Sequence, residues 1–156
     1  MEYRIAGIED FIELSQMRWD FKTEGKDTLN FINKDIFMKE CYKFFKSGLE
    51  EGNWTHWIAL DNNMIVSHIS INHIRKIPKP NRIIDEYGYV TNIYTKPSYR
   101  GKGIGSKLMD NVKTWATEKD LEILIVWPSH EAVKFYERKG FKSDNDIMEL
   151  FIRFDD

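Results

Sequence analysis

The sequence predicts a mixed α/β domain, and three observations carry that reading. Two runs rich in tryptophan, isoleucine and valine, within "NWTHWIALDNNMIVSHISINHIRKI", flank "DNN" and have the look of a β-hairpin. "EYGYVTNIYT", residues 86–95, is strand-like and empties into "KPSYRGKGIG", after which Ile104, Leu108, Val112 and Trp115 keep a 3.6-residue rhythm. "LEILIVW" then reads as another strand, so residues 90–127 form a βαβ-like unit. A chain of 156 residues suits one domain, 1–156, with no repeat or low-complexity tract.

The remaining elements follow in order. "YRIA" is a short first strand, and a helix from about Asp10 to Phe21 places Phe11, Leu14, Met17 and Arg18 on related turns. Asp10 is its expected N-cap, with Glu13 at capping-box spacing. A polar connection around Gly25 leads to a second helix, roughly Asp35 to Phe45, ending before Gly48. Pro78 and Pro80 interrupt the sheet, because proline supplies no ladder N–H. "SHEAVKFYERKG" is a short helix closed by Gly140, and "FKSDNDIMELFIRF" predicts at least one last strand.

Composition excludes several classes of function. With 23 basic and 25 acidic side chains, the net charge of -2 argues against nucleic acid or an anionic membrane as partner. The N-terminal stretch carries Glu2 and Arg4 where a signal peptide needs an apolar core, and no apolar run reaches membrane-spanning length. The single cysteine, Cys41, lies in an apolar rhythm and reads as a small buried hydrophobe, so a cytoplasmic location is expected. His56, His68, His73 and His130 match no metal-ligand spacing, and no metal is expected.

The stretch from Arg100 to Gly105 carries the chemistry. A strand that runs into a glycine-rich turn and then a helix exposes main-chain N–H groups at the positive end of the helix dipole. Gly101, Gly103 and Gly105 leave room for a phosphate to approach the backbone, and Arg100 and Lys102 add positive charge. The spelling G-x-G-x-G is not the dinucleotide fingerprint, and Gly101-Lys102 is followed by glycine where a nucleotide-triphosphate loop needs Ser or Thr. The residues thus point to a diphosphate cradle.

These residues resemble a known signature. "RGKGIG", with Arg100, Gly103 and Gly105 in the key positions, is similar to the acetyl-coenzyme A signature of the GCN5-related N-acetyltransferase superfamily. "EAVKFYERKGF", residues 131–141, resembles that family's second signature helix, which carries a tyrosine and closes on Gly-Phe. The resemblance implies a twisted mixed sheet with helices on both faces, splayed between its fourth and fifth strands, with acetyl-coenzyme A in the split. It further implies that Ile93, Tyr94 and Thr95 meet the pantetheine arm, and that Arg100, Gly101, Lys102, Gly103, Ile104, Gly105 and Ser106 hold the diphosphate. Ser129 stands where many relatives have Asn, and Tyr89 where some have a glutamate base.

Acetyl transfer to an amine needs a deprotonated nitrogen, a donor for the carbonyl oxygen and a proton for the departing thiolate. By the resemblance, Tyr136 is the general acid, and a tyrosine with an ordinary pKa of about 10 is protonated at neutral pH. A main-chain N–H near Asn92 or Ile93 is the expected oxyanion donor, and the Asn92 side chain can orient substrate or water. Strand alternation places Val90, Asn92 and Tyr94 on one face, with Thr91, Ile93 and Thr95 on the other. Glu86, acting through water, is the first choice of base, ahead of Asp85, Tyr89 and His73.

The family resemblance makes the first two helices the acceptor wall. Trp19, Phe21, Phe31, Phe37, Tyr42, Phe44 and Phe45, with Asp20, Glu24 and Asp27, would suit a cationic amine with apolar bulk. The expectation is therefore an acetyl-coenzyme A-dependent N-acetyltransferase acting on a small-molecule primary amine. A peptide or protein N-terminal or lysine acetyltransferase, and a non-catalytic acyl-coenzyme A-binding protein, are the alternatives. A homodimer is a further expectation, with "IMELFIRF" as partner edge or as part of the monomer's own sheet.

Overall fold

The computed structural model describes residues 1–143 and 146–153. The order is β1 (Glu2–Ile5), α1 (Phe11–Thr23), α2 (Lys34–Glu51), β2 (Trp54–Asp61), β3 (Met64–Arg75), β4 (Glu86–Thr95), α3 (Ile104–Glu118), β5 (Leu124–Ile125) and α4 (Val133–Arg138). The five strands form one sheet in sequence order, antiparallel throughout except for the parallel pair β4 and β5. The expected mixed α/β architecture is present.

The central hairpin turns on Asn62 and Asn63, at φ 49° and 66°. Asparagine tolerates this left-handed region because its side chain bonds locally, and two successive positive φ values match the twist of the flanking strands. The sheet then separates two apolar layers. Leu108, Met109, Val112 and Trp115 of α3 pack with Ile69, Ile71, Val90 and Tyr136 on one face. Phe11, Leu14 and Met17 of α1 and Phe45 of α2 pack with Ile58, Leu60, Ile65 and Tyr94 on the other. Cys41 lies half-buried against this second layer.

Four expectations are corrected. Asp10 does not cap α1 with its side chain; it accepts from Arg4 Nη1 at 2.7 Å, Arg4 Nη2 at 3.0 Å and the Gly7 N–H at 2.8 Å, and so closes the turn before the helix. Glu13 serves β3 instead, accepting the Ile65 N–H at 2.8 Å. α2 starts one residue early, on an Asn33 side-chain cap, and runs through Gly48 to end at Gly52 in the left-handed conformation. Gly48 is interior because Trp54 lies against it, where a Cβ would come within 2.9 Å of the Trp54 side chain.

The last two corrections concern the end of the chain. Of "LEILIVW" only Leu124 and Ile125 are strand, since β5 meets β4 only at Gly88 and Tyr89 before diverging. No strand forms over residues 146–153; the part of the expected final strand at 144–145 and 154–156 lies outside the described residues.

Candidate active site

Between His68 and Ser70 of β3 the pairing with β4 slips: His68 faces Tyr94 while Ser70 faces Thr91. β4 thus carries an extra residue, and Asn92, at φ 52°, takes the left-handed conformation that absorbs it. The expected alternation fails here. Val90 belongs to the α3 layer and Tyr94 to the α1 layer, although they are four residues apart and an unbroken strand would put them on one face.

The bulge and the divergence of β5 open a cleft of about 660 Å³. One wall is Thr91, Asn92, Ile93 and Thr95 of β4; the other is Val126 to Ser129 with Phe135 and Tyr136 of α4; Gly105 of α3 closes one end, and Arg18, Phe21 and Lys22 of α1 another. Another hollow, of about 730 Å³, lies behind β5 between α3 and α4 and shares Tyr136. The cleft is the functional candidate because the bulge, Gly105 in the first turn of α3 and Tyr136 meet there.

The turn preceding α3 is shaped for an anion. Gly101 and Gly103 have φ 73° and 77°, where an L side chain is strained, and a Cβ at either would meet nothing within 4 Å. The first helical bond of α3 runs from the Lys107 N–H to Gly103, so the preceding amides have no partner within the helix. No side chain caps them and no acidic residue occupies the first turn. A chain of donors at the positive end of a fifteen-residue helix is left open.

Arg100 bridges the turn and α1. Its Nε donates to the Thr95 carbonyl at 2.9 Å, and its two Nη atoms grip Glu24 at 2.8 and 2.7 Å. The guanidinium therefore ties the end of α1 to the turn, and its charge is matched by a carboxylate. Lys102 Nζ lies 5.2 Å from the centre of the Tyr99 ring. Ile104 is buried in the α3 core layer, and Ser106 is half-buried in the helix's first turn.

The structure brings Asn92, Ile93, Thr95, Gly105, Ser129 and Tyr136 to one cleft. Tyr136 is 7% exposed, and burial, with a contribution from Tyr89, pushes its hydroxyl pKa up to about 12. Tyr94 does not join them; its ring stacks on Phe21 at 5.1 Å on the α1 face. Glu86 does not either. It sits at the start of β4, 4.0 Å from His73 Nδ1, outside the cleft wall. Asp85 is buried under Lys76, Lys79 and Arg82 at 3.2 to 3.3 Å, which occupies it structurally.

The acceptor side departs from expectation as well. Of the α1 and α2 aromatics only Phe21 reaches the cleft, while Trp19 packs on Phe37 and Phe45 on Phe11. Asp20 accepts from Gln16, Asp27 from the Leu29 N–H, and Glu24 from Arg100. None of these carboxylates lines the cleft, whereas Arg18 and Lys22 do. Arg18 shares the turns of Phe11, Leu14 and Met17, a placement that assigned it no functional role in the sequence; Trp127 and Phe135 carried no functional signal either.

Asn92 links the cleft to a buried polar row. Its Oδ1 accepts from Arg18 Nη1 at 3.0 Å and its Nδ2 donates to Ser70 Oγ at 3.1 Å; Ser70 in turn meets His56 Nδ1 at 2.8 Å. His68 lies beside it, fully buried, with the Asn92 main chain and the Tyr94 ring, 6.0 Å away, as its polar and aromatic neighbours.

Comparison with known proteins places this geometry. The chain matches the model of the acetyltransferase (GNAT) family over residues 11–141. It is 24% identical over 151 residues to an uncharacterised N-acetyltransferase of Methanocaldococcus jannaschii, a match covering 94% of this chain and 61% of that longer relative. Its fold is similar to that of a predicted acetyltransferase from Clostridium acetobutylicum solved with acetyl-CoA, at 28% identity, TM-score 0.77, and coverage of 97% and 96% of the two chains. A GCN5-related N-acetyltransferase from Ralstonia eutropha shares the fold at 20% identity, TM-score 0.73, and coverage of 96% and 97%. With both signature turns in place around a β4 and β5 split, the chain belongs to the acetyltransferase (GNAT) family.

Proposed function

We propose that this chain transfers the acetyl group of acetyl-CoA to the primary amine of a small molecule by direct attack on the thioester. The observation that carries the reading is the set of amides before and in the first turn of α3 without a helical partner, next to Gly105, which lines the cleft that holds Tyr136. A cleft of about 660 Å³ also lies within the usual range for small-molecule sites.

Bound acetyl-CoA supplies a thioester carbon at which the C–N bond forms as the C–S bond breaks. The amides from Gly101 to Ser106, with Lys102 nearby, bind the diphosphate. The main chain at Ile93 to Thr95 orients the pantetheine arm, because the bulge removes Asn92 and Ile93 from pairing with β3 and β5 stops before reaching them. A main-chain N–H at the bulge steadies the carbonyl oxygen. Tyr136, protonated at neutral pH, gives its hydroxyl proton to the leaving sulphur and takes one back from solvent as the new amide nitrogen loses its own; the burial that raises its pKa keeps the phenol protonated but makes it a weaker donor.

No Asp or Glu among the described residues lines the cleft, so the ammonium proton leaves through solvent. Arg18 and Lys22 favour that loss, because like charge disfavours the protonated form of a nearby amine. Acetyl-CoA-dependent thiol release, measured across amines, with wild type and Tyr136→Phe, tests the reading. The expected result is retained acetyl-CoA binding with amine-dependent release reduced by about 10²-fold or more. Absence of release with every amine, or an unchanged rate in the variant, overturns it.

A further inference from the structure

We infer that the acceptor carries a carboxylate beside its amine, and that Arg18 is the residue that recognises it. This rests on the reading of the cleft as an N-acetyltransferase site and names its substrate class.

Arg18 is half-buried in the cleft wall, and no carboxylate lies within ion-pair distance of it among the described residues. Its side chain donates one hydrogen bond, from Nη1 to Asn92 Oδ1 at 3.0 Å, lies 5.9 Å from the Phe21 ring, and has the neutral Cys41 thiol and Tyr89 phenol as further polar neighbours. A guanidinium has five N–H groups in a rigid fork, so most of its donor capacity is left for something else. Removing such a charge from water is unfavourable unless it is paired. Burial accordingly lowers the Arg18 pKa.

The rest of the wall repeats the message. Lys22, one turn further along α1, is an exposed cation at the cleft's edge, has no ion partner among the described residues, and lies 4.8 Å from the Phe21 ring. Two cations and, among the described residues, no acidic side chain make a site that selects an anionic group and repels a second ammonium. Polyamines are thereby disfavoured. The position also separates this anion from the cofactor diphosphate: Asn92, which fixes Arg18, lies three residues before Thr95, and it is Thr95 that sits beside Gly105 at the start of α3. Asn92 orients the fork and is itself held by Ser70. The chemistry that fits is an amino acid or an ω-amino acid.

The test compares the proteinogenic amino acids, β-alanine and 4-aminobutyrate, each beside its carboxamide. Initial rates with saturating acetyl-CoA are measured on wild type, Arg18→Gln and Arg18→Lys. At least one acid should exceed its amide in kcat/KM by about tenfold or more, the worth of a charge-assisted bidentate pair. Arg18→Gln should bring that ratio near one, mainly through KM, and Arg18→Lys should keep part of it. The acetyl-CoA Kd of Arg18→Gln, from calorimetric titration, should equal that of wild type.

Equal rates for acid and amide, with turnover present, overturn this inference and leave the acetyltransferase reading intact. A weakened acetyl-CoA Kd in Arg18→Gln also overturns it, since Arg18 would then serve a cofactor phosphate. If no acceptor turns over, calorimetric titration of the same pairs into coenzyme A-loaded protein decides. Acid-selective binding lost in Arg18→Gln supports the carboxylate site and sinks the enzyme reading; no acid-selective binding sinks the carboxylate site.

Discussion

Arg100 and Glu24 join the glycine turn to the end of α1 through two parallel hydrogen bonds, at 2.8 and 2.7 Å, between side chains that are both solvent-exposed. An exposed pair contributes little to stability. Its expected effect on binding is electrostatic, because Glu24 sets a negative charge beside the turn proposed to hold the diphosphate. Glu24→Gln should leave the thermal midpoint nearly unchanged and tighten acetyl-CoA binding at low salt, with the gain fading as salt screens it. Calorimetric titration at two ionic strengths checks this, and weaker binding would show that the pair's rigidity outweighs its charge.

Gly103 and Gly105 should respond differently to alanine. At Gly103, with φ 77° and open space around a Cβ, the cost is backbone strain alone, about 1 kcal/mol. Gly105 is helical, and its Cβ would make only an ordinary 3.7 Å contact with Thr95 Oγ1, so Gly105→Ala should be neutral or stabilising by a few tenths of a kcal/mol. Because Gly105 lines the cleft, that added methyl should still weaken acetyl-CoA binding. Urea unfolding and a binding titration on both variants would separate strain from occlusion.

The pH profile of turnover should lack an alkaline limb in the accessible range. Rate rises with pH as the amine loses its proton, from an ordinary alkylamine pKa of about 10.4. Tyr136 holds its own proton to about pH 12, so the acid is not lost on the way. A fall in kcat with a midpoint below pH 10, absent from Tyr136→Phe, would show that the phenol titrates earlier than its burial implies.

His56 and His68 should make stability fall on mild acidification. Burial lowers their pKa to about 4 and about 3, from an ordinary value of 6.5. Between these limits the unfolded chain binds protons that the folded chain does not. Their contribution is therefore complete above pH 6.5 and is lost as pH falls through the window below it, with a slope approaching about 1.4 kcal/mol per pH unit for each ring. Urea midpoints from pH 7 to pH 5 measure this, and a flat profile would contradict it.

Gly88 sets how closely β5 approaches. A Cβ there would lie 2.7 Å from Leu124 Cδ2 and 3.0 Å from Ile71 Cγ2. Gly88→Ala should cost about 1–3 kcal/mol by overpacking and shift β5, altering the far wall of the cleft. Thermal melting combined with acetyl-CoA titration would register both effects, and an unchanged melting point would show that β5 yields freely.

The hairpin, β4, α3 and the glycine turn were readable because their determinants are local: alternation, the helical period, and the backbone freedom of Gly101 and Gly103. Tyr136 and Ser129 reached the cleft through the second signature. The roles of charged side chains were less accessible. Asp10 and Glu13 had capping spacing, yet Arg4 and the Ile65 N–H took them, and Glu24 and Asp85 were drawn to cations brought near by folding.

By itself, then, the sequence determined the elements up to α3, the family signature and the glycine turn, since each depends on residues within a few positions of one another. Only the tertiary structure decided which face each residue of β4 presents and which charges meet in the cleft. One extra residue at Asn92 reverses the alternation after Val90, and that reversal depends on the pairing of β4 with β3. The same bulge presents Asn92 to Arg18, 74 residues earlier in the chain, and so leaves the cleft wall cationic.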